Sequence, residues 1–152
     1  MTAEAIAATA AAAAIVDKRR PSMEEILASP RSTFVDINAM DWTPSKFPGV
    51  KVKVLYDDPA TGLLTVFSRM EPGSFIPLHT HTAIEQTFVL EGSLEDEQGA
   101  VTAGNFVWRP AGNTHIAHAP NGCLSVSFFT KPNQFFDDLP WFNDLDKKSV
   151  PG

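Results

Sequence analysis

A chain of 152 residues with a formal net charge of -6 is one domain long and large enough to bury a substantial core. The acidic balance excludes nucleic acid and anionic membrane surfaces as partners, since both call for basic patches. The single cysteine, Cys123, rules out an intrachain disulfide, fits a reducing cytoplasm, and reads as a small buried hydrophobe within an apolar run.

Taken in chain order, the first feature is an N-terminus in which nine of fourteen residues are alanine. Glu4 lies inside the apolar run and Lys18-Arg19-Arg20 follow it, the reverse of a secretory signal, and the run is too short to span a bilayer. Alanine's helix propensity predicts a helix or a mobile extension over residues 3 to 17. The S-x-x-E sequence Ser22-Met23-Glu24-Glu25 has the form of a capping box and predicts a second short helix ending before Pro30. Residues 1–30 are therefore read as an extension able to dock on the main domain or on a partner subunit.

From Phe34 onward the signals are those of strands. Val50 to Tyr56 alternates valine with polar residues, Asp57 to Gly62 is turn chemistry, and Leu63 to Ser68 is a second strand. Later apolar runs at 86–94, 100–108, 115–119 and 123–130 are separated by Gly, Pro and Asn. Many short strands at this spacing predict an all-β fold, an antiparallel β-barrel or jelly roll over residues 31–136. The tail, 137–152, and the stretch from Lys131 before it are too rich in Pro, Asp and Lys to predict a strand. Phe135, Phe136, Trp141 and Phe142 are expected to anchor this end to the surface.

The chemistry lies in the histidines, which number only four: His79, His81, His115 and His118. Residues two apart on a strand share a face and lie about 6.6 Å apart, so His79 and His81 can converge on one ion through imidazole bonds of about 2.1 Å. Glu85 follows after a three-residue turn, and His115 arrives from a separate strand behind the Pro110-Ala111-Gly112-Asn113 turn. Three nitrogens and one oxygen would leave positions open on a five- or six-coordinate metal, which suits substrate or dioxygen rather than a closed structural site. His118 has the opposite strand parity to His115 and is expected to face away from the metal, with a role beside the pocket only if the strand is irregular.

Two stretches carry a resemblance. Gly73-x5-His79-x-His81-x3-Glu85-x6-Gly92 is similar to the first motif of the cupin superfamily, and Gly104-x5-Pro110-x-Gly112-x2-His115 is similar to most of the second. Where the second motif has a closing asparagine this chain has Ala119, a departure at a position that is not one of the usual ligands. The runs from Glu85 to Gly92, Asp96 to Gly99, Ala103 to Asn105 and Pro120 to Cys123 resemble the ChrR-like cupins, a neighbourhood that also includes small dioxygenases acting on β-diketones or hydroxyacetophenones. The resemblance implies a single cupin barrel, a homodimer, and one divalent transition metal per chain held by His79, His81, Glu85 and His115. Fe(II) is the favoured metal, with Zn, Mn, Ni or Cu as alternatives.

For function the resemblance implies a non-heme Fe(II) dioxygenase acting on a small carbonyl compound, a diketone or hydroxyketone. The apolar pocket would be built by Phe75, Phe88 and Trp108, with His118 nearby; Arg109, beside Pro110, reads first as a surface or salt-bridged residue and second as a holder of an anionic group. A zinc-binding sensor without catalysis is the nonenzymatic alternative. A metal-dependent lyase or isomerase is the third, although a tyrosine base would have to be Tyr56, the only tyrosine in the chain.

Overall fold

The computed structural model describes residues 20–136, and the chain divides into two compact units, Met1–Phe34 and Val35–Gly152. In the first unit the described element is α1 (Met23–Ala28). Its capping box forms as the sequence predicts: the Glu25 N–H donates to Ser22 Oγ at 3.2 Å, and the Ser22 N–H donates to Glu25 Oε2 at 2.8 Å. No residue of this helix is buried. The helix expected over residues 3 to 17 lies outside the described residues.

The second unit is an antiparallel sheet curled into the half-barrel of a jelly roll. Its strands are β1 (Thr43–Pro44), β2 (Val50–Asp58), β3 (Leu63–Met70), β4 (Ser74–Thr80), β5 (Glu85–Asp96), β6 (Gly99–Thr102), β7 (Phe106–Arg109), β8 (Thr114–Ala119), β9 (Cys123–Phe129) and β10 (Gln134–Phe135). They pair in the order β1-β2-β3-β9-β5-β8-β4-β10, with β6 and β7 also on β5. The long β5 joins the two halves. Residues 85–92 pair with β9, and Ser93 to Asp96 pair with β6. The change of partner falls at Gly92, whose φ of 71° is a left-handed conformation, next to a register shift between Val89 and Glu91.

Alternation decides which side chains face inward. On β2, Val50, Val52 and Val54 point to the interior cavity, leaving Lys51 and Lys53 outside. Trp42 covers that outer face, stacked on Phe67 at 5.6 Å, with Lys53 Nζ 4.7 Å from its ring. Lys53 is thereby buried, its ammonium donating to the Ile37 carbonyl at 2.7 Å. A core of Val50, Met70, Val89, Leu94, Val101, Ala117, Ala119 and Cys123 closes the interior.

The chain end departs from expectation. Gln134–Phe135 pairs with β4, setting Phe135 opposite His79. Sequence pattern misses a two-residue strand like this because its stability comes from tertiary packing: Phe135 lies against His79 and Phe47, with ring centroids 5.2 Å away in each case. Trp141 and Phe142 lie outside the described residues. No helix among those described is long and apolar enough to cross a membrane.

Candidate metal centre

His79 and His115 are cross-strand partners on β4 and β8. His81, just past the end of β4, is fixed by the turn that precedes β8: its N–H donates to the Asn113 carbonyl at 2.9 Å, and its own carbonyl accepts from Gly112 at 2.8 Å. The Pro-x-Gly turn of the second motif thus positions a histidine of the first. All three imidazoles are at most 2% exposed. His115 Nε2 lies 3.1 Å from His79 Nε2 and 3.0 Å from His81 Nε2.

That spacing suits a shared ion, since two bonds of about 2.1 Å meeting at a right angle separate their nitrogens by about 3.0 Å. Proton positions agree. The Pro77 carbonyl, 2.7 Å from His79 Nδ1, can only accept, and so can an ionised Asp96, whose Oδ2 is 3.1 Å from His115 Nδ1. Both rings must carry their proton on Nδ1, and their Nε2 lone pairs face each other across the cluster. His81 Nδ1, also buried, finds no hydrogen bond. The lone pairs of His79 and His115 converge without a shared proton between them, which a cation would relieve, so the donor set fits a divalent transition metal.

Glu85, the first residue of β5, is 7% exposed and faces the same cavity. Its Oε1 accepts from the Thr87 hydroxyl at 3.1 Å, which in turn meets Ser127 Oγ at 2.8 Å, and its Oε2 accepts from Asn133 at 3.3 Å. Oε2 is 3.2 Å from His81 Nδ1. The residues with ligand atoms within reach of one another are the three histidines, and the carboxylate stands immediately beside them.

Burial keeps the imidazoles neutral. Burial, followed by the charge of Arg109, pushes His81 down to about 4 and His115 down to about 3; burial also lowers His79. Burial raises the Asp96 carboxyl, but the hydrogen bonds from Arg109 and the Gln98 N–H, together with the charge of Arg109 and the influence of His115, outweigh it and hold the group below its ordinary value. Neutral histidines in the fold that would protonate near 6.5 in the unfolded chain mean that the unfolded state binds more protons through this window. Stability of the metal-free protein must therefore fall as pH drops from 7 to 5. Urea midpoints should show it, and a midpoint unchanged across that interval would contradict neutral burial of the triad.

The residues expected to form the pocket are placed elsewhere. A cavity of about 660 Å³ opens beside His79, Glu85 and His115, and none of Phe75, Phe88, Trp108, Arg109 or His118 lines it. On β5 the inward residues are Glu85, Thr87 and Val89, so Phe88 faces out, and Trp108, opposite Gln86, is 59% exposed. The register shift between Ile76 and His79 puts those two on the cavity side and leaves Phe75 outside, stacked on His118 at 5.9 Å. His118 faces away, as its parity requires. Arg109 is buried, with Nη2 2.8 Å from Asp96 and Nη1 3.9 Å from Glu85, held by protein carboxylates off the wall of this cavity. The one tyrosine, Tyr56, is 53% exposed and off the cavity wall.

Asp96 is the functional residue that sequence reading passes over. In Asp96-Glu97-Gln98-Gly99 it has the signature of a turn, and its Oδ1 does accept from the Gln98 and Gly99 N–H groups at 2.8 and 3.1 Å. Its other oxygen orients His115. Asp96→Asn should therefore weaken metal binding by roughly 10- to 100-fold, the usual effect of losing a carboxylate behind a ligating histidine. Competition against a chelator measures it, and unchanged affinity would show that His115 needs no such support.

A jelly roll with three buried imidazoles converging beside an internal cavity defines a cupin with a candidate metal centre. The chain belongs to the ChrR cupin-like domain family, whose model matches residues 30–135. Solved structures agree on the fold. A candidate acetylacetone dioxygenase from Methylibium petroleiphilum PM1 superposes with a TM-score of 0.67 at 19% identity, covering 81% of this chain and 97% of that one. An acetylacetone dioxygenase from Acinetobacter johnsonii gives 0.62 at 21%, covering 72% and 80%. The anti-sigma protein ChrR of Rhodobacter sphaeroides, in complex with SigE, gives 0.54 at 20%, covering 85% and 67%. No curated protein matches the sequence significantly.

Proposed function

We propose that this cupin is a mononuclear Fe(II) dioxygenase that cleaves a small diketone or hydroxyketone. The observation that carries the reading is the one-sided placement of the triad: protein nitrogens converge from β4, β8 and the segment just after β4, and His79 and His115 face an internal cavity. Iron held there would supply the redox chemistry of dioxygen and a Lewis-acidic point for a chelating pair of substrate oxygens.

The chain's own contributions follow from the contacts. His79, His81 and His115 hold the metal, and Pro77 and Asp96 fix two of those rings in the ligating tautomer. Glu85, aimed by Thr87 and Asn133, is the oxygen donor that completes the set. The largely apolar wall beside the triad would strengthen electrostatic interactions at the centre. The single cysteine suits a reducing cytoplasm, where Fe(II) persists. The dioxygenase neighbours in fold support this reading.

Oxygen-electrode assays of protein loaded anaerobically with Fe(II) test it. The expected result is ketone-dependent oxygen uptake that zinc-loaded protein lacks. Membership of the ChrR cupin-like family favours a second reading, a zinc-bound sensor; tight zinc retention without uptake over a panel of diketones and hydroxyketones would replace the first reading with that one.

A further inference from the structure

We propose that the cavity is built for an uncharged ligand with a long apolar body, running from the triad toward Ser68 and Ser125. The inference rests on the functional reading above for the ligand's chelating end; the body is argued from the wall.

The first argument is length. Glu85, beside His81, is in register with Phe129, and Phe129 with Leu64. Four residues along β3 and β9 from that row, Ser68 faces Ser125 as its cross-strand partner. All of these line the same cavity, which therefore extends about 13 Å along the strands at about 3.3 Å per residue. A five-carbon diketone would fill only its metal end, whereas a volume of about 660 Å³ lies in the range that accommodates drug-sized ligands.

The second argument is charge. Among the described residues the wall contains no lysine or arginine; its carboxylates are Asp57, which is exposed, and Glu85. Arg109 is tied to Asp96 and Glu85, and Lys46, 4.3 Å from the Phe135 ring centroid, is not part of the wall. A carboxylate or phosphate on the body of the ligand would be desolvated without a counter-charge. The serine pair offers neutral hydroxyls at the far end.

Isothermal titration of zinc-loaded protein, which cannot turn over, tests this with a matched pair: dodecane-2,4-dione and 9,11-dioxododecanoic acid, the same chain with a carboxylate in place of the terminal methyl. The neutral ketone should bind at least about 100-fold more tightly, the scale of an unpaired buried carboxylate. Ser68→Phe should abolish binding of the long ketone and leave pentane-2,4-dione unaffected, with zinc content and thermal midpoint confirming that the variant is folded. Equal affinity for the two long ligands, or a Ser68→Phe variant that binds the long ketone normally, would overturn the proposal. Should Ser68→Phe not fold, Ser125→Leu serves the same comparison. Tight, selective binding with no oxygen uptake by the iron form would remove the dioxygenase reading and leave this assignment standing.

Discussion

His115→Ala and His79→Ala should each reduce bound transition metal from one ion per chain to background. His115 Nε2 is within 3.1 Å of both other ligating nitrogens, so its removal takes a donor from the middle of the set, and Asp96 loses one of its partners. Loss of one of three imidazoles leaves two nitrogens and a nearby carboxylate, a set with a much lower affinity than the intact centre. The fold should survive, because the imidazoles are buried as neutral groups and other residues form the core. Elemental analysis of protein purified without added metal provides the readout. Full occupancy in either variant would mean that the ion binds elsewhere.

Gly92→Ala should be the most damaging glycine-to-alanine substitution among the described residues. Gly92 has a φ of 71°, and an added Cβ would run into the Gly122 carbonyl oxygen, a backbone atom that cannot rotate away. Left-handed strain and a backbone clash together are expected to cost about 3 kcal/mol or more. Gly104 provides the control: its φ is 82°, but an added Cβ would meet nothing within 4 Å, so Gly104→Ala should cost only the conformational strain, about 1 to 2 kcal/mol. Urea unfolding of both variants makes the comparison. Equal losses would show that the approach of β5 to the Gly122 turn is not what requires glycine there.

The glycines of the two motifs explain why the fold and the triad could be read from sequence. Gly92 and Gly112 occupy backbone positions that few other residues tolerate, and the histidines are rare and regularly placed around them. His118 followed from parity alone. The pocket was less legible, for a physical reason: Phe88 and Trp108 are large and apolar, yet strand alternation turns them outward, while the actual wall includes Ser68, Ser125 and Ser127, small polar residues that announce nothing in a sequence. Phe75 was misplaced by a register shift invisible before pairing. Arg109 is salt-bridged, the first of its two sequence readings, although its partners, Asp96 and Glu85, are 13 and 24 residues away along the chain and could not be named from sequence. Asp96 hid its second role behind the first, since one oxygen closes a turn and the other orients a ligand.

The proposed function depends on an ion bound by the three imidazoles. Anomalous diffraction from crystals of iron-loaded protein, recorded on either side of the iron edge, observes that ion directly. A single strong peak per chain among the Nε2 atoms of His79, His81 and His115, beside the Glu85 carboxylate, is the predicted result. No peak there, or a peak at any other site, would contradict it.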